Sequence, residues 1–156
     1  MLSDIGPVAY PGGAVYVYTF INLISGRNVS WDFGQKMHIV IDLFRMWLLV
    51  KVYKLAYGKM IITERKTYVF VMLLFQAKYK FASVVFNFND TIVHLVALIS
   101  IFYHLKSRFW LAIFFMGFAA SIKMSAFLYV PGCLLVTAFE HGIFSAVVYL
   151  VGIFVV

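Results

Sequence analysis

The sequence predicts an all-α integral membrane protein, a multi-pass helical bundle, and three observations predict it. Hydrophobic residues fill 64% of the 156 positions and charged residues 12%, where a soluble domain has about 45–50% and about 25%. Mean hydropathy is +0.96, and a soluble globule of this size has too much surface for its volume to hide that apolar content. The charge-poor stretches have the lengths of helical spans, about 20 residues per crossing. The chain therefore has room for about five or six membrane-embedded or interfacial helices, a single transmembrane region over residues 1–156. A large extramembrane catalytic domain is excluded.

The elements follow in order from where the charges fall. Ile5–Gly26 is free of charge, but Pro7, Pro11, Gly12 and Gly13 break its first half. This leaves Ala14–Ser25 as an aromatic helix, too short to span comfortably and expected at the interface. Met37–Tyr57 is long enough to cross, although it carries Asp42, Arg45, Lys51 and Lys54. Thr67–Asn89 crosses next, interrupted by Lys78 and Lys80, and Thr91–Leu105 follows with two histidines. Phe109–Phe139 is too long for one span; Lys123 and Pro131-Gly132 predict a helix, a short break and another helix. Gly142–Val156 closes the chain.

Thirteen Lys and Arg against six Asp and Glu give a net charge of +7. In a soluble protein this would suggest nucleic acid. Here the basic residues lie between hydrophobic runs, so they set topology, and the expected partner is membrane lipid with no nucleic acid. Lys51, Lys54, Lys59, Arg65 and Lys66 form one basic cluster, Lys106 and Arg108 another. Two crossings between them put both on the cytoplasmic side. The Asp4–Gly13 segment, Asn87–Thr91 and the region around Lys123 then share the opposite side. The single Cys133 reads as a small core residue. Met1-Leu2-Ser3-Asp4 is not the basic start of a signal peptide, so none is expected here, and both ends look cut, so the chain is expected to be a fragment of a longer one.

Each candidate residue has a structural alternative. Asp4-Ile5-Gly6-Pro7-Val8-Ala9-Tyr10-Pro11 is a stiff, turn-rich loop that could hold Asp4 and Tyr10 at the membrane surface, or simply lead into a helix with Pro11 near its first turn. Asp90 could be a helix N-terminal acid favoured by the macrodipole, or could bind a sugar hydroxyl or cation, since an ionisable group at membrane depth is costly. Lys123 could snorkel from a helix end, or its ammonium could bind a lipid-linked phosphate. His94 and His104, ten apart on one helix, fit no metal-ligand spacing, and no metal is expected. His38 and His141 are placed at the interface. Asn89-Asp90-Thr91 and Asn28-Val29-Ser30 both match the glycosylation acceptor pattern, the second farther from the bilayer.

Four runs in this order resemble a known family. Gly6-Pro7-Val8-Ala9-Tyr10-Pro11-Gly12-Gly13-Ala14-Val15-Tyr16 is similar to the GPLVYPAGFVY motif of the dolichyl-phosphate-mannose-dependent α-1,3-mannosyltransferases of asparagine-linked glycosylation. Phe86-Asn87-Phe88-Asn89-Asp90 resembles their RLFNDP. Ala120-Ser121-Ile122-Lys123-Met124 resembles SVKMN, and Leu128-Tyr129-Val130-Pro131-Gly132-Cys133-Leu134-Leu135 is similar to LFAPGLLL. The chain departs at Thr91, where the family has proline, at Ser125, where it has asparagine, and at the arginine before its Leu-Phe-Asn-Asp, which is replaced. The resemblance implies part of a C-type glycosyltransferase fold in the endoplasmic reticulum membrane. The implied reaction moves mannose from dolichyl-phosphate mannose to a dolichyl-diphosphate-linked five-mannose oligosaccharide, with no cofactor. That reaction needs a cation near the leaving phosphate, for which Lys123 is chosen; Asn89 and Asp90 are expected to position sugar hydroxyls, Tyr10 could stack on a sugar face, and Asp4 is counted with them as substrate-binding. Asp4 matches the aspartate before the family's Gly-Pro but is not taken as the base, which is expected upstream of Met1; the fragment alone is expected to be inactive. Two other readings compete. One is a small transporter or channel with Asp42, Arg45, Lys78, Lys80 and His94 along a polar path. The other is an inactive truncated paralogue.

Overall fold

The computed structural model describes residues 11–25, 31–57 and 90–155, and every regular element among them is helical. Helix α1 is Gly12–Ile24, with Pro11 at its N-cap, where the missing proline N–H costs nothing because the first turn has no acceptor for it. Helix α2 is Trp31–Tyr57 and has 27 residues. It begins before the expected Met37. Asp32 and Lys36 keep that first part out of a lipid span, but they do not stop it from being helical.

Helices α3 (Asp90–Leu105) and α4 (Phe109–Ile122) form a hairpin. Its tight turn holds Ser107 at φ 57° and is closed by the Arg108 N–H donating to the Tyr103 carbonyl at 2.9 Å. The long run after Phe109 breaks at Lys123. A 3-10 segment follows over Met124–Tyr129, then α5 (Val130–His141). Pro131 lies inside the first turn of α5, so it opens that helix rather than causing the break. Gly142, at φ 86°, reverses the chain into α6 (Ile143–Val155); glycine meets no Cβ penalty in that conformation.

Among the described residues, Met124–His141 is the one stretch long and apolar enough to cross a membrane; α3, α4 and α6 are apolar but have 16, 14 and 13 residues. At 1.5 Å per residue, α4 reaches about 21 Å against a hydrocarbon core of about 30 Å. The outer surface is strongly apolar: Phe139 is 88% exposed, Leu128 and Phe144 82%, and Trp110 77%. The interior is built on small residues instead. Ala97, Ala112, Ala119 and Ala126 are fully buried, which lets helix backbones approach closely, as in membrane-embedded bundles. Cys133 is buried as expected.

Packing fixes the helix directions. Phe33 and Ile41 of α2 lie against the cluster containing Ile92 and Val93. Leu48 and Val52, farther along α2, pack with Leu98. Hence α2 and α3 run the same way, and α4 returns. The start of α3, the end of α4 and Lys123 share one end of the bundle. Lys106 and Arg108 sit at the other, the end toward which Lys51 and Lys54 lie on α2.

Candidate functional site

Lys123 is an elbow. Its backbone is extended (φ −156°, ψ 134°) between two helical segments. Its N–H closes α4 by donating to Ala119, and its carbonyl accepts from Ala126, each at 3.1 Å. From this elbow the ammonium reaches the carboxylate of Asp90 in the first turn of α3 and donates to Oδ1. The two side chains are 29% and 35% exposed, so the pair is accessible from outside the bundle. An ion pair this open adds little stability, about 0–1 kcal/mol.

A second link lies one turn deeper. His94 follows Asp90 by four residues and therefore shares its face. Its Nδ1 is hydrogen-bonded to the hydroxyl of Tyr129, the last residue of the 3-10 segment, and the rings meet edge-on with centroids 5.8 Å apart. From α2, Arg45 lies within electrostatic range of both His94 and Tyr129. It is bound to Asp42: Nε donates to Oδ1 at 2.8 Å, and the NH2 nitrogen lies 2.7 Å from the same oxygen. These two side chains are 12% and 7% exposed. Burying a charge pair carries a large desolvation cost that only good geometry offsets.

The first turn of α1 meets the same end of the bundle, because Gly13 packs on the backbone of Ser121. Four chain regions separated in sequence thus converge: α1 at Gly13, the start of α3 at Asp90, the elbow at Ser121–Lys123, and Tyr129. Each belongs to one of the four runs singled out in the sequence. The cluster offers an accessible ammonium and carboxylate, backed by a nearly buried guanidinium and an imidazole–phenol pair. Such a set suits an anionic, hydroxyl-rich ligand: cations hold phosphate, and carboxylates accept from hydroxyls.

Of the predicted site residues, Asp90 and Lys123 are brought into contact, while Asp4, Tyr10 and Asn89 lie outside the described residues, as do Lys78, Lys80 and Asn28. Asp90 is both a helix N-terminal acid and an ion-pair partner. Lys123 turns back to a carboxylate rather than simply snorkelling. His38, expected at the interface, is 2% exposed and hydrogen-bonded through Nδ1 to the Gly34 carbonyl at 2.9 Å. Thr91, the last residue of one acceptor pattern, is fully buried. Tyr129 lies in one of the four runs but was not named as a site residue, and its electrostatic proximity to Arg45 was not foreseen. Asp90/His94 and Asp42/Arg45 show helical spacing, but nothing in the chain says that α2 turns its polar face to α3.

A cleft of about 330 Å³ lies at the other end of the bundle, lined by Phe109, Trp110, Ile113, His141, Phe144, Ser145 and Val148. It contains no carboxylate or ammonium, so its size does not make it the chemical site.

The family model described as ALG3 protein matches residues 1–156. The chain is similar to the Dol-P-Man:Man(5)GlcNAc(2)-PP-Dol alpha-1,3-mannosyltransferase of Homo sapiens, with 26% identity over 142 residues, covering 90% of this chain and 31% of that protein. It is also similar to two Dolichyl-P-Man:Man5GlcNAc2-PP-dolichol alpha-1,3-mannosyltransferases of Drosophila melanogaster. Each is 26% identical over 152 residues, covering 95% of this chain and 30% or 28% of theirs. The chain thus spans about a third of the length of the curated relatives it matches. No solved structure matches it.

Proposed function

This chain belongs to the ALG3 protein family, and on that premise we propose that it is part of a mannosyltransferase of protein N-glycosylation. The reaction transfers mannose from dolichyl-phosphate mannose to a dolichyl-diphosphate-linked five-mannose oligosaccharide and forms an α-1,3 bond. The protein sits in the endoplasmic reticulum membrane as a multi-pass bundle of the C type, and residues 1–156 form one membrane region of it. The polar end of the bundle faces the lumen, with Lys106 and Arg108 on the cytoplasmic side. Donor, acceptor and bilayer lipid are its partners, and no cofactor takes part.

One observation carries this reading: the Asp90–Lys123 ion pair, which joins two of the four runs at a position open to a ligand. In the transfer, the acceptor hydroxyl oxygen bonds to the anomeric carbon of mannose and gives its proton to a general base. The bond from that carbon to the phosphate oxygen breaks, and dolichyl phosphate leaves with the electron pair. Negative charge grows on the leaving phosphate, where a nearby cation stabilises the transition state. Lys123 supplies that cation. The phosphate competes with Asp90 for the ammonium, and the released carboxylate, with Asn89, accepts from sugar hydroxyls. Tyr10 stacks on a sugar face, and Asp4 is counted with it as a substrate-binding residue. A transport path is the weaker reading, because Arg45 is bound to Asp42 and His94 to Tyr129.

The test uses membranes of cells that lack this α-1,3-mannosyltransferase and express the protein from its native transcript. With donor and five-mannose acceptor supplied, the expected product is a six-mannose lipid with a new α-1,3 linkage. No product, with the protein present in the membrane, overturns the reading.

A further inference from the structure

We propose that Tyr129 is a positioning residue for Lys123, acting through its hydrogen bond to His94; the proposal rests on the function just given. Lys123 is a single extended residue between two helical segments, and on α3 its ammonium meets Asp90. Tyr129 closes the 3-10 segment that begins just after the elbow, and its hydroxyl meets His94, one turn below Asp90. The segment is therefore fastened to α3 at both ends. A donor phosphate that draws the ammonium from Asp90 releases the near fastening. The far one, His94–Tyr129, then keeps the elbow in register with α3. Arg45, bound to Asp42, lies within electrostatic range of both far partners.

Tyr129→Phe tests this with little disturbance, since it keeps the ring and its edge-on contact and removes one hydroxyl. In the full-length protein, KM for dolichyl-phosphate mannose rises about fivefold, the equilibrium worth of one hydrogen bond. KM for the acceptor and the amount of protein in the membrane stay unchanged. In a Lys123→Ala background, Tyr129→Phe produces no further rise, because the positioned group is gone. A second readout is the rate at which a water-soluble amine-reactive reagent labels Lys123, which increases in Tyr129→Phe.

An unchanged donor KM, an equal rise for both substrates, an unchanged labelling rate, or a full effect in the Lys123→Ala background overturns the inference while the transferase reading stands. Absence of transfer by the unsubstituted protein overturns the transferase reading, and this inference with it.

Discussion

Gly13, in the first turn of α1, rests on the backbone of Ser121 near the end of α4. A Cβ built on Gly13 would stand 2.6 Å from both the carbonyl carbon and the carbonyl oxygen of Ser121. Backbone cannot move aside as a side-chain tip can, so the contact needs a residue without a Cβ. Gly13→Ala is expected to push α1 off α4 and to cost about 1–3 kcal/mol, the usual range for overpacking. Gly12→Ala, whose Cβ would meet nothing within 4 Å, is the control. Thermal melting of the detergent-solubilised protein checks both, and equal melting of the two variants counts against the close approach.

On the proposed function, the outer ion pair is expected to matter to activity more than to stability. Because Lys123 and Asp90 are both about a third exposed, Lys123→Ala is expected to lower the melting midpoint only slightly, less than about 1 kcal/mol. Mannosyl transfer should fall at least about tenfold, the effect of removing one cation from a developing negative charge. Unchanged donor turnover would remove Lys123 from the phosphate site.

The inner pair behaves in the opposite way. Asp42 and Arg45 are almost buried, so Arg45→Met takes the guanidinium away from a nearly buried carboxylate and should cost up to about 3–5 kcal/mol. The double variant Asp42→Leu/Arg45→Met removes both charges and is expected to recover most of that loss. Abundance and protease resistance in membranes measure it; a double variant no better than the single one contradicts this account.

Thr91 is fully buried, and its hydroxyl finds no hydrogen-bond partner among the described residues. An unsatisfied buried polar group costs about 1–3 kcal/mol. Thr91→Val, which keeps the shape and drops the hydroxyl, should therefore raise the melting midpoint. A lower midpoint would reveal a partner for that oxygen.

Much of the helix layout was legible in the sequence. The charge-poor stretches located α3 and α4 to within a few residues, and Lys123 marked the break, because an isolated charge in an apolar run is costly inside a helix bundle. Charges mark where a helix leaves lipid rather than where it stops being a helix, which is why α2 starts at Trp31 and not at Met37. The pairing of Asp90 with Lys123 was foreseen only as far as their sharing one side, a consequence of charge bias between the basic turns.

By itself, the sequence determined that the described segments are helical and strongly apolar, and that Asp90 and Lys123 share one end. Those properties depend on composition and on spacing along a single segment, so they are local. Contacts between segments were decided only by the tertiary structure. Gly13 meets Ser121, His94 meets Tyr129, and Arg45 lies within electrostatic range of both members of that pair because parallel packing of α2 on α3 and the return of α4 set the helices in register. That register depends on which small residues let two backbones approach, and no single stretch of sequence contains both sides of such a contact.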